Sequence, residues 1–365
     1  MNAGGGVLML GDHSNHVVDQ TIPPVDLLWN LGRALGGSVL RAGKMRVWDG
    51  PPGAYRDEGQ VNTSGDTDMI SMPNQEDNVP QTIFPVVWDV HIGHSFERHW
   101  HSLFIGSPSE GNPLGIIRIM ADHGHEGALV QPAKLDLPEW PTAPGGYQPK
   151  PVVVAHGTNM DSGERVPLVS AYDGHPAGVG RIVAHTTWHH FVNVNLHGFL
   201  LPDGSPDESL QILGQYFNNL VWYLMPHRQK EGTLGSALEW LTDSAIIRDL
   251  RGAPLEILGR AAYVVLNEAA SRSQIQDLLQ QAVEAVLPPT QDNATSQLPL
   301  PPLSYLLGAL VAERQDSHRK AGKHDYESTG TRSLVAQGIK RALWTHLEEH
   351  KAKVEAVEAL LKRCE

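Results

Sequence analysis

Gly4-Gly5-Gly6-Val7-Leu8-Met9-Leu10-Gly11-Asp12-His13 is the stretch on which the reading of this chain turns. Four consecutive apolar residues bounded by glycines have the length of a buried strand, not of a helix. The strand leads at once into Asp12 and His13. The same pattern recurs three times. Ile116-Ile117-Arg118-Ile119-Met120 runs towards Asp122-His123-Gly124-His125-Glu126-Gly127, Val152-Val153-Val154-Ala155 is followed by His156-Gly157, and Arg181-Ile182-Val183-Ala184 by His185-Thr186-Thr187-Trp188-His189-His190. In an open α/β sheet with these strands parallel, their carboxyl ends would meet at one lip, where such sheets bind ligands.

Neutral imidazole and carboxylate are the ligands that zinc, iron and manganese sites draw on, and imidazole also exchanges protons near neutral pH. On this pattern His13, Asp122, His123, His125 and His156 are the expected ligands of a divalent metal. Glu126 and His185 are the expected proton acceptors, by position, and Asp12, His189 and Asn193 the expected contacts to a small polar ligand. Structural alternatives stand beside these roles. Asp12 can cap a turn, and Asp122–Gly127 is not the helical HExxH signature. His189 and His190 are adjacent, so on a strand only one could join His185, the other packing on Trp188 or Phe191. The segment His91–His101 has metal-like spacing but reads as a solvated loop.

Composition narrows the classes. The chain has 365 residues, 41% hydrophobic and 19% charged, which suits about two globular domains at roughly 150 residues each. No run of about 18 apolar residues marks a membrane span. The net charge of −13 opposes nucleic-acid binding. Cys364 is the single cysteine, which excludes an intramolecular disulfide and a CxxC site. Met1 leads into Asn2-Ala3-Gly4 with no basic and apolar leader, so a cytoplasmic location is expected. Of 19 histidines, 14 fall in the first 200 residues.

Two textures divide the chain at about residue 228. Residues 1–228 read as an α/β domain with a loop-rich insertion at 49–113, of which Asp49–Gln81 is a surface excursion. Residues 229–365 read as a helical domain with an extended Pro-rich linker, Pro288–Pro302. Helices are expected over 207–225, 233–250, 254–287, 303–319 and 332–363. The last carries an apolar stripe (Val335, Ile339, Leu343, Leu347, Val354, Val357, Leu361) suited to docking on neighbouring helices or to homo-oligomer or partner contact.

A nucleophile elbow needs Ser or Cys on a tight turn after a strand. After Leu10 that turn offers Asp12 and His13, with Ser14 beyond the expected place, and Gly4-Gly5-Gly6 precedes its strand where a phosphate loop would follow one.

GGGVLMLGDH, PVVVAHG (151–157) and GVGRIVAHTTWHHFVNVNLHG (178–198) together resemble the class I glutamine-amidotransferase-like superfamily, its uncharacterised bacterial members and, more distantly, the trehalose-utilisation type. The likeness covers about residues 4–225. It implies a flavodoxin-like three-layer α/β sandwich followed here by an all-α region. The family ordinarily places strands before the GGG strand, so the resemblance implies a sheet lacking its first strands, with an edge open to a partner. Working amidotransferases carry a Cys at the elbow. This chain has none there, which removes thiol-dependent amide transfer. Two functions follow as expectations: a non-canonical member that binds a small polar molecule and serves binding or assembly, or a hydrolase using a His/Asp-bound divalent metal.

Overall fold

The computed structural model describes residues 4–10, 79–92, 95–122, 141–144, 146–149, 152–158, 162–185, 189–191, 201–205, 207–286, 301–321 and 331–364. The chain divides into two compact units, residues 1–88 with 98–227 and residues 89–97 with 228–365. The described strands are β1 (Val7–Leu10), β2 (Val79–Thr82), β3 (Phe84–Pro85), β4 (Val87–Ile92), β5 (Ser95–Trp100), β6 (Ile119–Asp122), β7 (Val152–Thr158), β8 (Arg165–Tyr172) and β9 (Ile182–His185).

Five of them form a mixed sheet in the order β1-β9-β8-β7-β3, while β2 pairs with β6 and β4 with β5. Of the four expected parallel strands, only β1 and β9 are parallel neighbours, with Leu10 opposite His185. β8 lies between β7 and β9, antiparallel to both, and β6 pairs antiparallel with β2 outside this sheet. β7, β9 and β1 therefore run in one direction, as expected, with β8 interposed; β8 is antiparallel because residues 159–164 and 173–181 are shorter than the dozen or more that a parallel crossover needs.

The glycines that frame β1 and β9 are there for close approach. A Cβ on Gly180 would overlap the carbonyl oxygen of Gly5, and one on Gly6 would overlap the Leu224 backbone. Arg181, beside Gly180, is 2% exposed: its Nη2 donates to Asp173 Oδ2 at 2.6 Å and its guanidinium lies 4.3 Å from the Tyr223 ring centroid. Burial alone would push the Asp173 carboxyl up, but Arg181 holds it well below the usual carboxylate range.

Helix α1 (Glu208–Leu224) opens where Asp207 Oδ1 accepts the Leu210 N–H at 3.0 Å, an acidic N-cap. Its buried residues Leu213, Tyr216, Asn219, Leu220 and Tyr223 recur at helical spacing and join a core with Ile83, Leu103, Phe104, Met120, Val154, Leu168, Val169 and Val183. Leu103 and Phe104 fall inside the expected insertion yet are fully buried. Asn219 Nδ2 donates to the carbonyls of Leu103 (3.1 Å) and Ile105 (2.8 Å), fastening this segment to the helix. The expected solvated histidine loop is likewise ordered: most of it forms β4 and β5, and the His101 ring meets Tyr223 edge-on at 4.9 Å.

The second unit is helical: α2 (His227–Asp243), α3 (Ala245–Asp249), α4 (Leu255–Asn267), α5 (Arg272–Val286), α6 (Leu303–Ala321) and α7 (Thr331–Cys364). The expected single helix over 254–287 is two. Ser271 and Gln274 stop the first and start the second, the Gln274 N–H donating to Ser271 Oγ (3.2 Å) and the Ser271 N–H to Gln274 Oε1 (2.8 Å), a reciprocal capping box. The expected helix over 233–250 begins earlier, just after Pro226, and breaks at Ser244. α4 and α6 cross through Gly259 and Gly308, where an added Cβ would overlap the carbonyl oxygens of Ser304 and Leu255 respectively. No described helix is long and apolar enough to cross a membrane.

Candidate functional site

β9 delivers His185 to its carboxyl end, and the short helical turn His189–Phe191 brings His190 back against it. His185 Nδ1 and His190 Nδ1 are 2.8 Å apart, His185 Nε2 lies 2.5 Å from Tyr216 Oη on α1, and His190 Nε2 lies 2.9 Å from Gln81 Nε2 on β2. Gln81 is 1% exposed and the other three residues are fully buried. Four polar side chains from four elements thus form one hydrogen-bonded chain through the interior. Phe191 closes the side of His185, ring centroids 4.7 Å apart.

The chain has a direction. Contact between two Nδ1 atoms requires a proton on one ring nitrogen and a lone pair on the other. With Gln81 Nε2 donating, His190 Nδ1–H donates to His185 and His185 Nε2–H donates to Tyr216 Oη. Turning the Gln81 amide over reverses every bond: Tyr216 O–H donates to His185 Nε2, His185 Nδ1–H to His190, and His190 Nε2–H to Gln81 Oε1. The reversed order uses Gln81 Oε1, a buried atom that otherwise has no partner among the described residues. Either order is complete with two neutral rings. Burial, then the neighbouring His190, pushes the His185 pKa well down, and burial pushes the Tyr216 hydroxyl well up.

Such a chain can hold its elements in register and pass a proton along its length. It leaves no lone pair on His185 for a metal, since both ring nitrogens are engaged. His185, expected as a proton acceptor at an open lip, is instead an interior residue bonded on both sides.

The sheet register fixes what lies around it. His185 is level with Leu10 on β1 and with Val169 on β8, which pairs in turn with Ala155 on β7. His156 is the next residue along β7, opposite Phe84 and Pro167, two strand spacings or about 10 Å from β9. It is half-buried, its pKa lowered by burial and then by Arg165, and it does not enter the hydrogen-bonded chain. Asp122 ends β6 opposite Val79, and His189 opens the turn that carries His190; only their backbones are among the described residues. Asp12, His13, His123, His125, Glu126 and Asn193 lie outside the described residues. Among the described residues no three His, Cys, Asp or Glu side chains gather to hold a metal.

Gln81, His190 and Tyr216 carry the network beside His185. Their sequence signals were modest: a polar residue on a short strand, the second of two adjacent histidines, and a tyrosine on the apolar face of α1. Buried tyrosine needs a partner for its hydroxyl, and that need was the readable hint.

No family model, curated protein or solved structure matches this chain.

Proposed function

We propose that the first unit is an amidotransferase-like, flavodoxin-related module without the catalytic thiol, which binds a small polar ligand at the carboxyl ends of β1, β9 and β6 and has a binding or assembly role. The register of Leu10 against His185 carries this reading. In sequence Asp12-His13 follow closely on β1, whose last residue, Leu10, is level with the buried His185. The bond from His190 to Gln81 ties the same pair to β2, whose partner β6 leads on to His123, His125 and Glu126. The close approach of Gly180 to Gly5 brings together the GGG and GVG stretches on which this reading draws. The antiparallel β7–β8 pair is then an elaboration of the flavodoxin-like plan.

The two-way hydrogen-bond chain favours a second reading, a hydrolase with a divalent metal on some of His13, Asp122, His123, His125 and His156. Bound water on such a metal is acidified towards neutrality. Glu126 would take its proton, and the His185–His190 chain would serve behind the site.

Metal analysis of the untagged full chain, with its melting temperature with and without zinc, iron or manganese, separates the readings. A metal-free protein indifferent to all three supports binding or assembly. Near-stoichiometric metal, lost on His123→Ala with the helical content unchanged, supports the hydrolase.

A further inference from the structure

We infer that the distal half of α7 is a self-association segment that pairs with the same segment of a second copy as a parallel two-stranded coiled coil. Among the described residues the polar contacts of α7 with α6 run up to Glu349: Arg341 Nη1 meets Glu313 and Asp316 at 3.0 Å each, and Tyr305, two residues into α6, donates to Glu349 at 2.5 Å. α6 therefore ends alongside Glu349, while α7 continues to Cys364. Fifteen further residues at 1.5 Å per residue make an overhang of about 22 Å. Residues 351–356 on it are all exposed.

Leu343, Leu347, His350, Val354, Val357, Leu361 and Cys364 follow one another at intervals of 4, 3, 4, 3, 4 and 3 residues, a heptad seam three repeats long. Leu347 is 40% and Val354 44% exposed, and Trp344, which flanks the seam, is 67% exposed. Leu347 and Val354, the described apolar seam positions beyond Leu343, are thus left exposed within one chain. The flanking charges select the occupant. With Leu347, Val354 and Leu361 as first positions of their heptads, Lys353 precedes and Glu358 follows the seam at the two places that face each other between parallel, in-register copies. An identical chain supplies both members of that pair twice. It also brings Cys364 opposite Cys364.

Sedimentation velocity of the full chain at tens of micromolar, under reducing conditions, tests this. The expected result is a species of twice 39.9 kDa that falls to the monomer in L347D/V354D, which still unfolds cooperatively but loses the concentration dependence of the wild-type melting temperature. A short bis-maleimide should join wild-type chains through Cys364 and lose at least tenfold in yield in L347D/V354D. A monomeric wild type, a dimer that survives L347D/V354D, or Cys364 cross-linking indifferent to those changes would overturn the proposal. Binding of L347D/V354D-sensitive foreign helices by a monomeric wild type would also overturn it, by giving the seam to a different occupant.

Discussion

His185 and His190 face each other Nδ1 to Nδ1 at 2.8 Å in an interior from which solvent is shut out, so a single proton bridges the two Nδ1 atoms. This single contact couples the end of β9 to the 189–191 turn and, through Tyr216 and Gln81, to α1 and β2. Because each member has its partner inside the protein, removing any one leaves a buried polar atom unpaired. That cost exceeds the worth of the bond itself.

Tyr216→Phe removes only the hydroxyl that meets His185 Nε2. The expected loss is about 1–3 kcal/mol of unfolding free energy, read as a lower urea midpoint with unchanged slope. Tyr216→Phe combined with His185→Leu, which removes both partners, should cost less than the two changes summed. Strict additivity would show the bond to be energetically idle.

The pH dependence of stability follows from the lowered His185 pKa. In the unfolded chain this ring titrates near its ordinary value of about 6.5, whereas in the folded state it stays neutral to lower pH. The unfolded state therefore binds more protons below that value. Stability is fully present above it and falls as the pH drops through about 6.5 towards the folded-state value, by at most about 1.4 kcal/mol per pH unit for this one group. Urea titrations between pH 7.5 and 5.5 should show the fall, and His185→Gln should flatten it. An equal slope in His185→Gln would move the effect to the other histidines with lowered pKa, His156 and His318.

In the helical unit Lys230 Nζ meets Asp277 Oδ2 at 2.7 Å, and Gln281 Nε2 reaches the same oxygen at 2.7 Å. Lys230 is 1% and Asp277 5% exposed. Lys230→Met leaves a buried carboxylate without its cation and should cost about 3–5 kcal/mol. Replacing both residues, Lys230→Met with Asp277→Leu, should recover most of that loss. A double variant as weak as the single would show that the pair contributes net stability over an apolar substitute.

Gly308→Ala should destabilise the α4–α6 crossing by about 1–3 kcal/mol, because its new Cβ meets the Leu255 backbone carbonyl, which no rotamer change can move. Gly232→Ala, on α2 with nothing within 4 Å of the added methyl, is the control and should be neutral or slightly stabilising. Thermal unfolding of the two variants side by side distinguishes them. Equal melting temperatures would mean that the helices separate at no cost.

The helical half and α1 were largely legible, because an apolar residue every three or four positions and, for α1, acidic residues at its start are local facts that need no partner. The Ser271–Gln274 capping box was not read, because the apolar period across it reads as one helix. β1, β7 and β9 were visible as short apolar runs, which are local in the same way. Their common direction holds, but β8 between β7 and β9 was not read, and it separates His156 from His185.

What the chain of letters determined alone was where β1, β7, β9 and most of the helical sequence lie and which segments carry imidazoles, since burial patterns repeat with the period of the element that produces them. Only the folded molecule decided which imidazoles meet. Gln81 and His190 are 109 positions apart, and His185 and Tyr216 are 31 apart. Their contact depends on sheet order and on the seating of α1, which arise from the packing of the whole core and leave no periodic mark in the sequence. His156, expected just past a strand end, lies inside β7 and is held two strands away by that same order.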